Sequence, residues 1–120
     1  VSPDDPRRDV IIADRIDHMI EAIDQIVAFA EDHDKASFMG DLKTVMACRA
    51  AFIVIGEAVG GIPEDFRESN TAVPWAEARH YRNFLIHVYD QIDPSKLWET
   101  IRESLPPMRE QLADLRKRLP

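Results

Sequence analysis

The stretch "IADRIDHMIEAIDQIVAFA", residues 12–30, decides the fold class. Ile12, Ile16, Met19, Ile20, Ile23, Ile26, Val27 and Ala30 recur at steps of three and four, while Asp14, Asp17, Glu21 and Asp24 fall mostly between them. Each residue of an α-helix advances about 100°, so this spacing gathers the apolar side chains into one stripe and predicts a long amphipathic helix. Upstream, Asp5-Pro6 offers a cap residue and a first-turn proline. Downstream, the polar "EDHDKAS" ends the pattern.

The same period continues along the chain. A second helix is predicted from near Ser37 toward Gly60, with Leu42, Val45, Met46, Arg49, Phe52, Ile53 and Gly56 at helical spacing. Ala51, Ile55 and Val59 widen its apolar surface, which predicts deeper enclosure than the first helix has. Gly60-Gly61 before Pro63 is a stop signal, and "PEDFRES" reads as one or two helical turns. Pro74 opens a helix that is predicted to run through Trp75 into the "RHYRNFLIHVYDQIDP" stretch, residues 79–94. Asp93-Pro94 repeats the cap-and-proline pair before "SKLWETIRESL". After Pro106-Pro107, Met108, Leu112, Leu115 and Leu119 mark a last amphipathic helix. No segment alternates as a strand does. The prediction is an all-α protein, a four- to five-helix antiparallel bundle forming a single domain over residues 1–120.

Composition narrows the functional classes. Fifteen basic and 22 acidic residues give a formal charge of -7, which argues against broad attraction to nucleic acid or anionic membrane. The charge is uneven: residues 1–40 hold ten acidic and four basic residues, and residues 101–120 hold three and five. A polyanion is therefore expected at the middle or C-terminal part. The single cysteine, Cys48, lies in an apolar run and reads as a small buried residue. The acidic, proline-rich start does not resemble a signal peptide and the apolar runs are short, so the expected location is cytoplasmic, with no membrane partner. His18, His33 and His80 show no carboxylate or cysteine spacing of the zinc-ligand kind, so no metal and no cofactor are expected.

Chemistry concentrates in residues 79–94. Arg82 and Tyr89, seven apart, share a helix face, and Asn83 and His87, four apart, are neighbours. Arg82 and His87 are five apart, so on a straight helix they point roughly 140° away from each other. Convergence requires arginine's reach, a distorted helix end, or a groove completed by a second subunit. The residue types suit a phosphodiester. An arginine fork grips nonbridging oxygens, and a histidine exchanges a proton near neutral pH. In RNA the 2'-hydroxyl is a built-in nucleophile that DNA lacks, so RNA and not DNA is the expected substrate. Asn83 would orient the histidine or phosphate, and Tyr89 would bond phosphate or pack on a base. Arg79 and His80 read as flanking residues.

The octapeptide "RNFLIHVY", Arg82 to Tyr89, resembles the Arg-x4-His-x-Tyr signature of the HepT-like branch of the HEPN helical domains. "VIGEAVGGIPEDF", "VPWAEARHYRN" and "YDQIDPSKLWETI" resemble the segments that flank that signature, so the likeness covers most of residues 10–115. His80-Tyr81 depart from the small residue and methionine usual before the motif arginine. The resemblance implies a HEPN-like homodimer that acts as the toxin of a two-component toxin–antitoxin system. It implies metal-independent RNA cleavage by the motif residues, here Arg82 and His87, with Asn83 matching the polar residue that follows the arginine. It also implies a cognate MNT-type nucleotidyltransferase antitoxin that transfers AMP to the motif tyrosine, here Tyr89. Glu57 is expected in structural support or partner contact. The alternative class is a non-catalytic nucleotide-binding or partner-binding module associated with a nucleotidyltransferase.

Overall fold

The computed structural model describes residues 2–85 and 93–120. Helix α1 spans Arg8–Ala30, and Ile12, Ile16, Met19, Ile23, Ile26 and Ala30 of the predicted stripe are buried. Ile20 is half-buried and Val27 is exposed, so the buried face is narrower than the pattern suggested. Asp5 closes the turn ahead of the helix: its carboxylate accepts the Arg7 amide (2.8 Å), and its carbonyl accepts that of Arg8. The N-cap position itself falls on Arg7, which makes no side-chain cap.

The single helix predicted from residue 37 to 60 is two, α2 (Lys35–Met39) and α3 (Leu42–Gly60). Two caps divide it. Asp34 accepts the Ser37 amide while the Ser37 hydroxyl accepts the Asp34 amide, a reciprocal capping box. Asp41 then accepts both the amide and the hydroxyl of Thr44 at the head of α3. Gly40, at φ −86°, sits between them in a conformation open to any residue, so the caps and not the glycine set the break.

Gly61 ends α3, and α4 (Glu64–Ser69) occupies the predicted short turns. Trp75 Nε1 donates to the Asn70 carbonyl, and Asn70 Nδ2 to that of Phe66, which ties the connector to α5 (Trp75–His80). The α-helix expected to continue through the motif ends at His80, and the rest of its expected course beyond residue 85 lies outside the described residues. Residues Tyr81–Leu85 tighten into a 3-10 segment. Asp93 caps α6 (Pro94–Glu103) through the Ser95 and Lys96 amides, as the Asp-Pro pair predicted. Helix α7 (Leu105–Lys117) carries both prolines in its first turn, where no amide partner is lost, and buries Leu105, Met108, Leu112 and Leu115.

Side-chain contacts fix the register of the bundle. Cys48 Sγ faces the Ile26 carbonyl and His33 faces Thr44, so α3 runs antiparallel to α1. Arg109 grips Asp24 with a two-pronged contact and Arg116 bonds Asp17, which sets α7 antiparallel to α1. One contiguous apolar cluster spans α1, α2, α3, α5, α6 and α7. The all-α class is thus the one observed, and no strand occurs among the described residues. No described helix is long and apolar enough to cross a membrane.

Candidate functional site

The 3-10 segment lies against α3, and three contacts hold it there. Phe52 meets Tyr81 and Phe84 edge-on at 4.8 and 5.6 Å between ring centroids, while Tyr81 and Phe84 stack at 5.8 Å. Beneath them Arg49, only 8% exposed, donates its Nε (3.0 Å) and Nη2 to the Phe84 carbonyl. The buried guanidinium thus supplies two donors to a carbonyl of the 3-10 segment. Third, Gly56 lets the backbones meet: a Cβ there would stand 2.4 Å from the Arg82 nitrogen and 3.0 Å from its Cα. Only glycine fits such an approach.

Tyr81 completes the anchorage. It is buried, and its hydroxyl donates to Glu77 Oε1 at 3.1 Å. Burial, reinforced by the Glu77 charge, pushes its ionisation far above the ordinary phenol range, so it stays a neutral donor.

These anchors present Arg82 outward and Asn83 half-buried. The Asn83 amide nitrogen donates to His80 Nδ1 at 3.0 Å. Ala76, Arg79, His80, Arg82 and Asn83 together line an open depression of about 280 Å³. The structure therefore groups Arg82 and Asn83 with Arg79 and His80, which the sequence pattern set aside as flanking. The reason is local: positions three apart are neighbours on a helical surface, and the last turn of α5 runs directly into the 3-10 segment. Arg79 then sits near Arg82, and His80 near Asn83. His87 and Tyr89 lie outside the described residues, as does the expected Asn83–His87 pairing.

Sequence reasoning passed over Arg49. Its signal was present, since a lone cation among Val45, Cys48 and Phe52 on the enclosed face of α3 must find a partner. Glu57 is exposed and lines a separate groove between α1 and α3 with Arg15, His18, Ile53 and Val54. Among the described residues no group of three His, Cys, Asp or Glu side chains is placed to hold a metal ion.

The sequence of this all-helical bundle matches a defined family. Residues 19–115 match the family model described as ribonuclease HepT-like, and the chain belongs to the HepT-like family. It is 36% identical over 104 residues to a probable ribonuclease HepT of Thermococcus cleftensis, covering 87% of this chain and 94% of that protein. A putative RNase of Methanocaldococcus jannaschii is 32% identical over 116 residues, covering 95% and 97% of the two chains. A second protein of that organism, named gamma-glutamylcyclotransferase and putative RNase, is 28% identical over 113 residues. Those residues are 94% of this chain and 50% of that protein. No solved structure matches the chain.

Proposed function

We propose that this protein is an endoribonuclease and the toxin of a toxin–antitoxin pair. His87 takes the proton of an RNA 2'-hydroxyl, and the freed oxygen attacks the adjacent phosphorus. The bond to the 5' oxygen then breaks, and that oxygen takes a proton from solvent. Arg82 offsets the charge gathered on the phosphorane, and Asn83 orients the phosphate or the histidine. The products are a 2',3'-cyclic phosphate and a 5'-hydroxyl. The observation that carries this reading is the clamping of Arg82 at the rim of a basic depression by Gly56, Phe52 and Arg49. Seating the Arg82 backbone sets where its exposed side chain starts from, at the edge of the depression. Membership of a family described as ribonuclease HepT-like supports it further.

Tyr89 is the acceptor of AMP from a cognate nucleotidyltransferase, which silences the toxin. The chain has two tyrosines, and Tyr81 is buried with its hydroxyl engaged by Glu77. A second copy pairs along α3, where Leu42, Met46, Ala50 and Val54 form an exposed stripe repeating every four residues, Leu42 being 72% exposed. A large apolar row left in water favours burial against a partner, and an isologous pairing needs only this one patch.

The test is RNA cleavage in EDTA by wild-type, Arg82→Ala and His87→Ala proteins. Cyclic-phosphate ends from the wild type, with losses of at least about 100-fold in both variants, are expected. Equal cleavage by a folded His87→Ala protein would sink the mechanism. Absence of cleavage, together with stable binding to a nucleotidyltransferase, would favour the non-catalytic partner module. AMP addition to Tyr89 is read as a mass increase lost in Tyr89→Phe. Val54→Glu should turn a dimer into a monomer by sedimentation.

A further inference from the structure

We propose that Arg79 holds a second RNA phosphate, next to the one Arg82 holds, so that the site grips two neighbouring phosphates of one strand. This deepens the ribonuclease reading and rests on it. The observation is a matched pairing between two elements. Helix α3 carries glycines one turn apart, Gly56 and Gly60, and each seats one arginine. Gly56 lies under the backbone of Arg82. A Cβ at Gly60 would stand 3.2 Å from Arg79 Nη1 and 3.9 Å from its Cζ. The bare surface at Gly60 therefore lets the Arg79 guanidinium lie against the end of α3, where it is half-buried and restrained.

The two guanidiniums line the same open depression with His80 and Asn83. Consecutive phosphates of a single strand are separated by one nucleotide of backbone, a spacing within the reach of two long arginine side chains three positions apart at the same depression. Each arginine presents a planar fork of donors suited to phosphate oxygens. His80 supports the platform by accepting from the Asn83 amide nitrogen, which fixes the face that Asn83 turns to the depression. The simpler account is that Arg79 and His80, in the last turn of α5, only complement the negative end of that helix. That account predicts a change in stability without any change in RNA binding.

The experiment uses a fluorescent single-stranded RNA and the cleavage-impaired His87→Ala protein, with and without Arg79→Gln or Arg79→Lys. Binding is followed by anisotropy as salt is raised, and the melting temperature of each protein is measured alongside. Arg79→Gln is expected to weaken binding about tenfold and to reduce the slope of log affinity against log salt by about 0.7, the value for one phosphate contact on a single strand. Arg79→Lys should recover the slope, because it keeps the charge, but not all of the affinity, because it loses the fork. Unchanged affinity and slope in a folded Arg79→Gln protein would overturn the proposal. So would a lower melting temperature as the only effect. If the wild-type protein fails to cleave RNA while Arg79→Gln still weakens binding and lowers the slope, the ribonuclease mechanism falls and the two-phosphate platform stands. If the His87→Ala and wild-type proteins both fail to bind RNA, both readings fall.

Discussion

Gly56→Ala tests the architecture of the site with the smallest side chain available. On an isolated helix the exchange stabilises by about 1 kcal/mol, because glycine carries excess backbone freedom. Here the new methyl would stand 2.4 Å from the Arg82 nitrogen, whereas ordinary contact begins near 3.4 Å, so α3 and the 3-10 segment must part by about 1 Å. The opposing atoms are backbone and Cβ, so no side chain can swing away. Parting them also loosens the Phe52 contacts to Tyr81 and Phe84 and lengthens the Arg49 bonds to the Phe84 carbonyl. Overpacking of this kind costs about 1–3 kcal/mol, which leaves a net loss of about 0–2 kcal/mol after the helical gain.

Against a total stability of about 5–15 kcal/mol, such a loss leaves the protein almost wholly folded. Activity should suffer more, because a shift of about 1 Å in a positioned group costs about 100-fold. Urea denaturation gives the first number and single-turnover RNA cleavage the second. Gly40→Ala is the control: its nearest neighbours would be 3.6 and 3.8 Å away and its φ is ordinary, so it should be neutral or stabilising and fully active. A Gly56→Ala protein that is more stable and as active as the wild type would refute the claim that this glycine seats Arg82.

Three further outcomes follow from the same contacts. Arg49→Met removes both guanidinium donors from the carbonyl of half-buried Phe84 and should cost about 1–3 kcal/mol in denaturation, with Arg49→Lys recovering only part because the two-donor fork is lost. The Arg109 fork holds the Asp24 carboxyl below the usual carboxylate range. Its contribution is therefore present above the unfolded pKa near ~4 and lost as pH falls through the lower folded value. Arg109→Gln should flatten the acid limb of the stability curve below pH ~4, by less than about 1 kcal/mol because both partners are about half exposed. Burial pushes the Cys48 thiol up to about 11, so a thiol reagent at pH 8 should leave the native protein unmodified and label it fully in urea.

What could be read from the sequence was what local signals encode. The α1 stripe, the Gly60-Gly61 stop and the Asp93-Pro94 cap each depend on residues within one or two turns, and each was found where predicted. The division of α2 from α3 was also encoded, in the Asp34-x-x-Ser37 and Asp41-x-x-Thr44 spacings, but the apolar period running across it was the louder pattern. The 3-10 segment was not legible. Nothing within residues 79–85 demands it; its anchors, Arg49, Phe52 and Gly56, lie some 30 residues earlier in the chain. Arg79 and His80 looked marginal for another reason: the pattern directed attention forward to His87 and Tyr89, although Arg82 and Asn83 have their i−3 neighbours in Arg79 and His80 on any helix.

The distribution of charge now points to one place. The sequence left the middle and the C-terminal part of the chain as alternative faces for a polyanion. Helix packing separates them. The acidic side of α1 is turned toward α7, where Asp24 engages Arg109 and Asp17 engages Arg116. Arg102 lies over the Trp98 ring. Arg109 and Arg116 are thus matched by surface carboxylates of α1, while Arg79, His80 and Arg82 face one open depression. A net charge of -7 and a local site for phosphate are then compatible. On the proposed function, the acidic remainder would repel nucleic acid at long range, and the depression would attract it only where a strand can lay a phosphate against the arginines. Such a site engages few phosphates, so its affinity should depend only gently on salt, unlike that of a broad basic surface. Discrimination comes from reaching the motif rather than from coating the protein.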